Sequence, residues 1–497
     1  MSTNSESLVS NGGFDRKVIM ILIGLAAMVA IIMAPTPAGL SMAGQRILAI
    51  MVFTIFMWIT EAIPYNVSAI SLIFMSIAGL GFAPASGTSG ALLGTGKAIP
   101  LAMSGFSNSG WVFVASGLFM AAAIVSTGIE RRIAYMIIRM VGTKINAIMA
   151  GIIITSFVLT FLIPSVIARG ATLVPISLGL ITAFGLPINS QIGKAMLLLA
   201  GILPSVTGNA VLTGAAPNPI VLSFLKTAGL PGISYIEWME YLFPFTVVFA
   251  IGLYFLVIKM FKFEFSELPG GREYLNKCLD DLGPMSVSEK KILIIMVLTI
   301  LLWATDKLHH IDATAVSVLS VLLMVSPYSG VCNWKDLSKK VDWNTILLFG
   351  AGISMADMFT NTGAAKWVAK VLFIDSGVGN LSITWLAISI FLLMFIIRFC
   401  FTSITSCIAA VTPAIIGFLV ELHNPALPIT GIIMGVLIVA QSTAILPVTS
   451  APAMIAYGTG GFTTKDMVKL GIPLAVIMYV LILVFMFTYW PLIGLWR

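Results

Sequence analysis

Fifteen apolar runs alternate with short polar stretches along the chain. They cover 18–33, 48–63, 67–82, 111–125, 145–163, 171–184, 195–204 and 242–260, then 292–303, 313–325, 345–358, 381–397, 412–420, 431–446 and 470–487. A bilayer crossing takes roughly 20 apolar residues. The pattern therefore predicts an all-α polytopic membrane protein with on the order of ten to twelve spans. One polar interval, 262–291, carries Glu264, Glu267, Arg272, Glu273, Lys277, Asp280 and Asp281 and reads as a linker between two halves, 15–261 and 292–497. The polar stretch 1–14 reads as a disordered tail, and the first run as a retained helix because no small-residue cleavage signal follows it.

The halves are related in sequence. Gly117, Met120, Ala121, Thr127 and Gly128 recur as Gly352, Met355, Ala356, Thr362 and Gly363, each 235 residues on, and Ala216-Pro217 recurs as Ala451-Pro452 at the same distance. Duplicated membrane chains are commonly transporters, with the substrate site near the midplane between the repeats. An odd number of crossings per half makes the repeats inverted; the apolar runs alone do not fix that parity.

Each half is broken twice, in matching order. The interruptions fall near 164–170 and 205–218 in the first half, and near 398–406 and 447–452 in the second. Backbone N–H and C=O groups must be paired in hydrocarbon, so irregular chain at membrane depth is tolerated where it lines a cavity or is buried in protein. Ser165 and Pro175 are ten residues apart, as are Ser403 and Pro413, so the first and third interruptions read as equivalent re-entrant hairpin tips, and the second and fourth as broken helices. Broken helices present N-terminal half-dipoles and free N–H groups, which suit an anion. Ordinary Pro/Ser kinks are the plain alternative, and four matched positions argue against it.

The side chains at these places set the candidate chemistry. Arg169 lies in the first tip and Arg398 just before the second. An arginine inside an apolar stretch costs at least a few kcal/mol unless paired or hydrated, and a guanidinium binds carboxylates in bidentate fashion. Two facing a common cavity would select a ligand with two carboxylates; snorkelling to an interface is the alternative. Glu61 and Asp357 are intramembrane acids with the capacity to carry protons, as in a cation/proton antiporter, or simply to make hydrogen bonds at helix ends.

Composition narrows the classes further. Hydrophobic side chains make up 59% and charged ones 9% of the 497 residues, and the mean hydropathy is +1.06. That leaves no room for a large soluble catalytic domain. The net charge of +7 comes from basic residues in loops and at helix ends, where topology and lipid headgroups account for them, so nucleic acid is not implied. Cys278, Cys332, Cys400 and Cys407 are scattered without metal-site spacing. His309, His310 and His423 lie outside the apolar runs, away from any Ser or Cys nucleophile, which argues against an intramembrane enzyme.

With these features in view, the chain resembles the divalent anion:sodium symporter (DASS) family. The resemblance rests on Trp58-Ile-Thr-Glu-Ala-Ile-Pro64, Thr213-Gly-Ala-Ala-Pro-Asn218, the two Ser-to-Pro tips, and Tyr457-Gly458 before Lys465-Asp466, and it covers nearly the whole chain. The family carries a Ser-Asn-Thr triplet at each tip, whose oxygens and amides hold substrate carboxylates beside sodium. Here the triplets read Ser165-Val166-Ile167 and Ser403-Ile404-Thr405, and the second Pro-Asn element becomes Ala451-Pro452-Ala453. Loss of both tip asparagines, with an arginine at each tip, is similar to the citrate/succinate antiporter branch. The resemblance implies di- or tricarboxylate transport by counter-exchange, with sodium coupling as the alternative and no other cofactor. It also implies an elevator motion, a homodimer in the bacterial inner membrane, and membrane lipids and carboxylate anions as the partners. The candidate substrate ligands are Ser165, Arg169, Thr213, Gly214, Asn218, Arg398, Ser403, Thr405, Thr449 and Ser450.

Overall fold

The computed structural model describes residues 11–85, 91–263, 271–328, 330–371 and 381–496. Within them the chain is all helical, apart from one isolated bridge between Pro84 and Leu92. The helices of the first half are α1 (Asn11–Met33), α2 (Met42–Thr60), α3 (Tyr65–Gly81), α4 (Thr95–Ala102), α5 (Ser109–Thr127), α6 (Ile129–Val141), α7 (Ile145–Leu162), α8 (Val166–Ala183), α9 (Gln191–Thr207), α10 (Pro217–Thr227) and α11 (Tyr235–Met260). The linker holds α12 (Gly271–Asp281). The second half follows with α13 (Val287–Ala304), α14 (Asp306–His309), α15 (Ala313–Val325), α16 (Trp334–Ser338), α17 (Trp343–Asn361), α18 (Ala364–Ala369), α19 (Ile383–Arg398), α20 (Ile404–Glu421), α21 (Ile429–Ser442), α22 (Ala451–Tyr457), α23 (Thr464–Phe487) and α24 (Tyr489–Leu492). Of the predicted tail, residues 1–10 lie outside the described residues and 11–14 open α1.

Among the described residues, eight helices are long and apolar enough to cross a membrane. Five more are apolar but shorter: α3, α9, α15, α19 and α21. Three of these five owe their length to the interruptions, since α9 and α21 stop at the broken-helix segments and α19 stops at the second tip. Helix starts follow ordinary capping chemistry. Ser234 with Glu237, Ser286 with Glu289 and Thr463 with Asp466 form capping boxes that satisfy the first backbone N–H groups of α11, α13 and α23.

The duplication is visible in the backbone. Gly128 (φ 76°, ψ 6°) opens α6 in the left-handed region, and Gly363 (φ 77°, ψ 4°) opens α18 in the same conformation. In the broken-helix segments, Ala215 (φ −154°, ψ 147°) matches Ser450 (φ −152°, ψ 144°), and each half places one short 3₁₀ turn there, at Leu212–Gly214 and at Pro447–Thr449. In the broken-helix segments, corresponding positions thus adopt the same local geometry through different side chains.

The chain forms two compact units. One comprises residues 1–108, 343–380 and 409–423. In it, α1 lies against α2 through Gly24, whose missing side chain admits Met57 and Phe53, and Gly105 comes so close to Gly350 and Ser354 of α17 that a Cβ would collide with backbone. The other unit comprises residues 109–342, 381–408 and 424–497 and contains all four interruptions.

Candidate functional site

The breaks are shorter than the sequence pattern suggests in three places, the second tip shrinking to residues 399–403, and longer in the fourth. The first tip is confined to residues 163–165, because Ser165 caps α8 by accepting from the Ala168 N–H at 3.3 Å, so Arg169 sits in the first turn of a helix. In the first broken helix, α9 runs on to Thr207 before the chain leaves helical geometry. The fourth interruption opens at Thr443, four residues before the expected Pro447, since α21 ends at Ser442.

Arg169 is fully buried. Its guanidinium donates to the Thr160 and Thr207 hydroxyls, to the Pro204 carbonyl at 2.9 Å and to the Gly214 carbonyl. Pro204 lies in the last turn of α9, so the charge stands at the negative end of that half-helix and ties it to the 3₁₀ turn within the break. Arg169 has no carboxylate within ion-pair distance among the described residues; backbone carbonyls supply the negative potential. Arg398 repeats the arrangement in the second half. Also fully buried, it donates through Nε to the Ala440 carbonyl at 2.9 Å, in the last turn of α21, and through Nη1 to Phe401 in the second tip. Each arginine therefore clips a hairpin tip to the C-terminal end of the broken helix in its own half.

A set of buried amides joins the two clips. Asn218, at the start of α10, donates to the Gly208 and Val211 carbonyls at 2.8 and 2.9 Å, which holds the first break in shape. Gln441, next to Ala440, donates to Asn218 Oδ1 at 2.8 Å and to Asn209 Oδ1 at 2.9 Å. Asn209 in turn donates to Ser442 at 3.2 Å, and Trp238 donates to the Asn209 carbonyl at 3.0 Å. The sequence pattern singled out Asn218 but missed Asn209, Gln441, Thr160 and Thr207. The amide inside the largely apolar run 431–446 is the signal by which Gln441 could have been found. Close packing completes the assembly: a Cβ on Gly170 would lie 2.7 Å from Pro452, so only a glycine lets α8 of the first tip approach the start of α22.

The remaining candidates lie around this network. Ser403 accepts from the Ser406 N–H at 3.2 Å and Thr405 stands partly buried in the first turn of α20. Thr449 is fully buried and donates to Leu446 at 2.7 Å, while Ser450 caps α22. Thr213 faces the Tyr235 hydroxyl and lines a small cavity with Pro164 and Ala216. That cavity shares Phe113 and Pro219 with a larger one of about 200 Å³, lined by Leu212, Tyr235 and the charged Lys226, Asp306 and Asp312. The two arginines line neither. The acids weighed as proton carriers have structural partners: Tyr65 donates to Glu61 at 2.9 Å at the end of α2, and Ser104 donates to Asp357 at 2.8 Å. No cluster of metal-ligating side chains occurs among the described residues, and all four cysteines are free thiols.

Many apolar helices, two halves with matching local geometry, and buried cationic clips at interrupted segments define a multi-pass membrane transporter. The chain belongs to the divalent anion:sodium symporter family, matching the family described as the sodium:sulfate symporter transmembrane region over residues 15–496. It is an anion transporter and not an enzyme. It is 33% identical over 473 residues to a membrane protein of Cupriavidus necator, covering 95% of this chain and 92% of that one. It is 26% identical over 481 residues to the L-tartrate/succinate antiporter of Escherichia coli K12, covering 94% of this chain and 97% of that protein. A solved structure of Neisseria gonorrhoeae MtrF, of a class described as antimetabolite efflux pumps, aligns over 97% of this chain and 94% of that one with a TM-score of 0.49 at 12% identity.

Proposed function

We propose that the protein exchanges small di- and tricarboxylates, of the succinate, malate, citrate, 2-oxoglutarate and tartrate class, across the membrane without sodium. The observation that carries this reading is the pair of buried guanidiniums at the C-terminal ends of α9 and α21. Carbonyls at the end of an interrupted transmembrane helix are where secondary transporters coordinate sodium. In this chain a covalently fixed cation already occupies that position in each half. A permanent charge neutralises a bound dianion but cannot leave with it, so the empty carrier keeps its positive site and returns readily only when reloaded with anion. Counter-exchange follows from that constraint. The antiporter relative, named for tartrate and succinate, supports the same class of substrate. Carboxylate binding falls to Ser165, Thr213, Ser403, Thr405 and Ser450 with the adjoining backbone N–H groups, under the field of Arg169 and Arg398, while Asn218 and Thr449, whose donors are held by backbone carbonyls, shape the site. An inverted arrangement of the repeats, an elevator motion and a homodimer belong to the same proposal.

Binding tests it directly. Purified protein is heated with each carboxylate and with sulfate, in sodium and in choline buffer. Stabilisation by dicarboxylates to the same extent in both cations supports the proposal. Stabilisation that requires sodium, or that sulfate alone produces, overturns it in favour of a sodium-coupled symporter or a sulfate carrier.

A further inference from the structure

The helix α6 is amphipathic and only 13 residues long, too short to span a bilayer. One end is fixed firmly. Arg132 donates through Nε to Glu289 Oε1 at 2.8 Å and through Nη2 to Glu289 Oε2 at 3.3 Å, a bidentate pair that holds α6 against the first turn of α13. The same guanidinium holds the carbonyls of Gly283 at 2.8 Å and Leu282 at 3.2 Å, which secures the end of the linker. Along its length α6 lies against α7, with Ile138 packed on Gly151.

Beside these fixed contacts an open groove of about 440 Å³ remains between α6, α7 and α13. Ile133, Met136, Ile137 and Met140 form one wall, at the spacing of a single helix face; Val158, Phe161 and Leu162 of α7 and Leu293 of α13 form the rest. No polar residue lines it. Met136 and Met140 are 45% and 82% exposed, far more than core methionines, so no part of the described chain covers the groove. Two exposed basic residues adjoin its lining along the chain. Lys290 is exposed one turn before Leu293 on the same side of α13, and Arg139 is exposed beside Met140. Of the acids around α6, Glu130 and Glu289 are buried and Glu289 is spent on Arg132, while Asp280 and Asp281 lie exposed at the end of α12.

We infer that this groove is a binding site for an anionic phospholipid, with an acyl chain along the α6–α7 face and the headgroup phosphate at Lys290 and Arg139. In a membrane protein, lipid is the apolar chain available to an open cleft, and basic residues at its mouth favour an anionic headgroup by about fivefold per Lys or Arg. Unbranched methionines adapt to a flexible chain. Because α7 leads directly into the first hairpin tip, the lipid would wedge the helix that carries Pro164 and Ser165.

Native mass spectrometry of the full-length protein in detergent tests this, with phosphatidylglycerol and phosphatidylcholine of the same chains added in separate samples. Retention of phosphatidylglycerol several-fold above phosphatidylcholine is expected, with Lys290→Gln removing most of that preference and leaving phosphatidylcholine binding unchanged. Met136→Trp, which fills the groove, should abolish both adducts; Met140→Trp carries the same test if the first variant does not give monodisperse protein. Equal retention of the two lipids, unchanged adducts in the groove-filling variant, or displacement of the lipid by inorganic phosphate alone would each overturn the inference.

Discussion

The buried arginines carry the account at the level of single residues. Arg169 satisfies two carbonyls and two hydroxyls from one planar fork. Lysine keeps the charge but reaches fewer of them, and glutamine leaves buried acceptors unpaired at about 1–3 kcal/mol each. We expect Arg169→Lys and Arg169→Gln both to melt well below the wild type in detergent with no substrate present. A normal melting temperature combined with lost carboxylate binding would instead assign the guanidinium to the substrate alone. Glu130 makes a different residue-scale prediction. Burial, opposed by its backbone hydrogen bond and by Arg131, pushes its carboxyl up from 4.5 to about 7. The folded state then holds a proton that the unfolded chain has released, so stability declines as pH rises from about 4.5 to about 7 and levels off above that. The size is no more than about 3 kcal/mol. Glu130→Gln should flatten that decline in melting curves taken between pH 5 and pH 8; an unchanged slope would show that other groups produce it. Both arginines were legible in the sequence because a charge in an apolar run is conspicuous. What they touch was not, since carbonyl partners are spread over 45 residues of chain and carry no side-chain signature.

At the scale of elements, the interruptions work as a linked set rather than as four separate kinks. Gln441 joins the end of α21 to Asn209 and Asn218 in the first break. Gln441→Leu keeps the volume but leaves two buried amide oxygens without a donor, and a loss of about 2–4 kcal/mol is expected from removing both partners. In a double-mutant cycle, Asn218→Ala and Gln441→Ala should be less than additive by about 0.5–3 kcal/mol; strict additivity in melting temperature would mean the amides do not couple the halves. The repeat supplies a second comparison. Gly128 and Gly363 share one left-handed backbone, and a Cβ would meet open space at both. Alanine at either position should therefore cost about 1 kcal/mol through backbone strain alone, and by similar amounts. The elements were mostly legible: the apolar runs located the long helices and the matched breaks. The exact ends were not, because α9 and α21 stop where their carbonyls find an arginine or a 3₁₀ turn rather than at the nearest proline. Nor did polarity mark α12, which is helical within the predicted linker.

For the whole molecule, the central claim is that two fixed guanidiniums stand in for a mobile coupling ion and so make the carrier an exchanger. The composition and the duplicated pattern placed the chain among multi-pass transporters, while the tip sequences pointed away from sodium; the proposed coupling mode is argued from how charge is held inside the fold. The most direct measurement is uptake of labelled succinate into liposomes containing the purified protein, either loaded with unlabelled succinate or empty, in sodium and in choline media. Rapid uptake into loaded liposomes only, at equal rates in the two media, is the expected result. Uptake into empty liposomes driven by an inward sodium gradient would contradict the account.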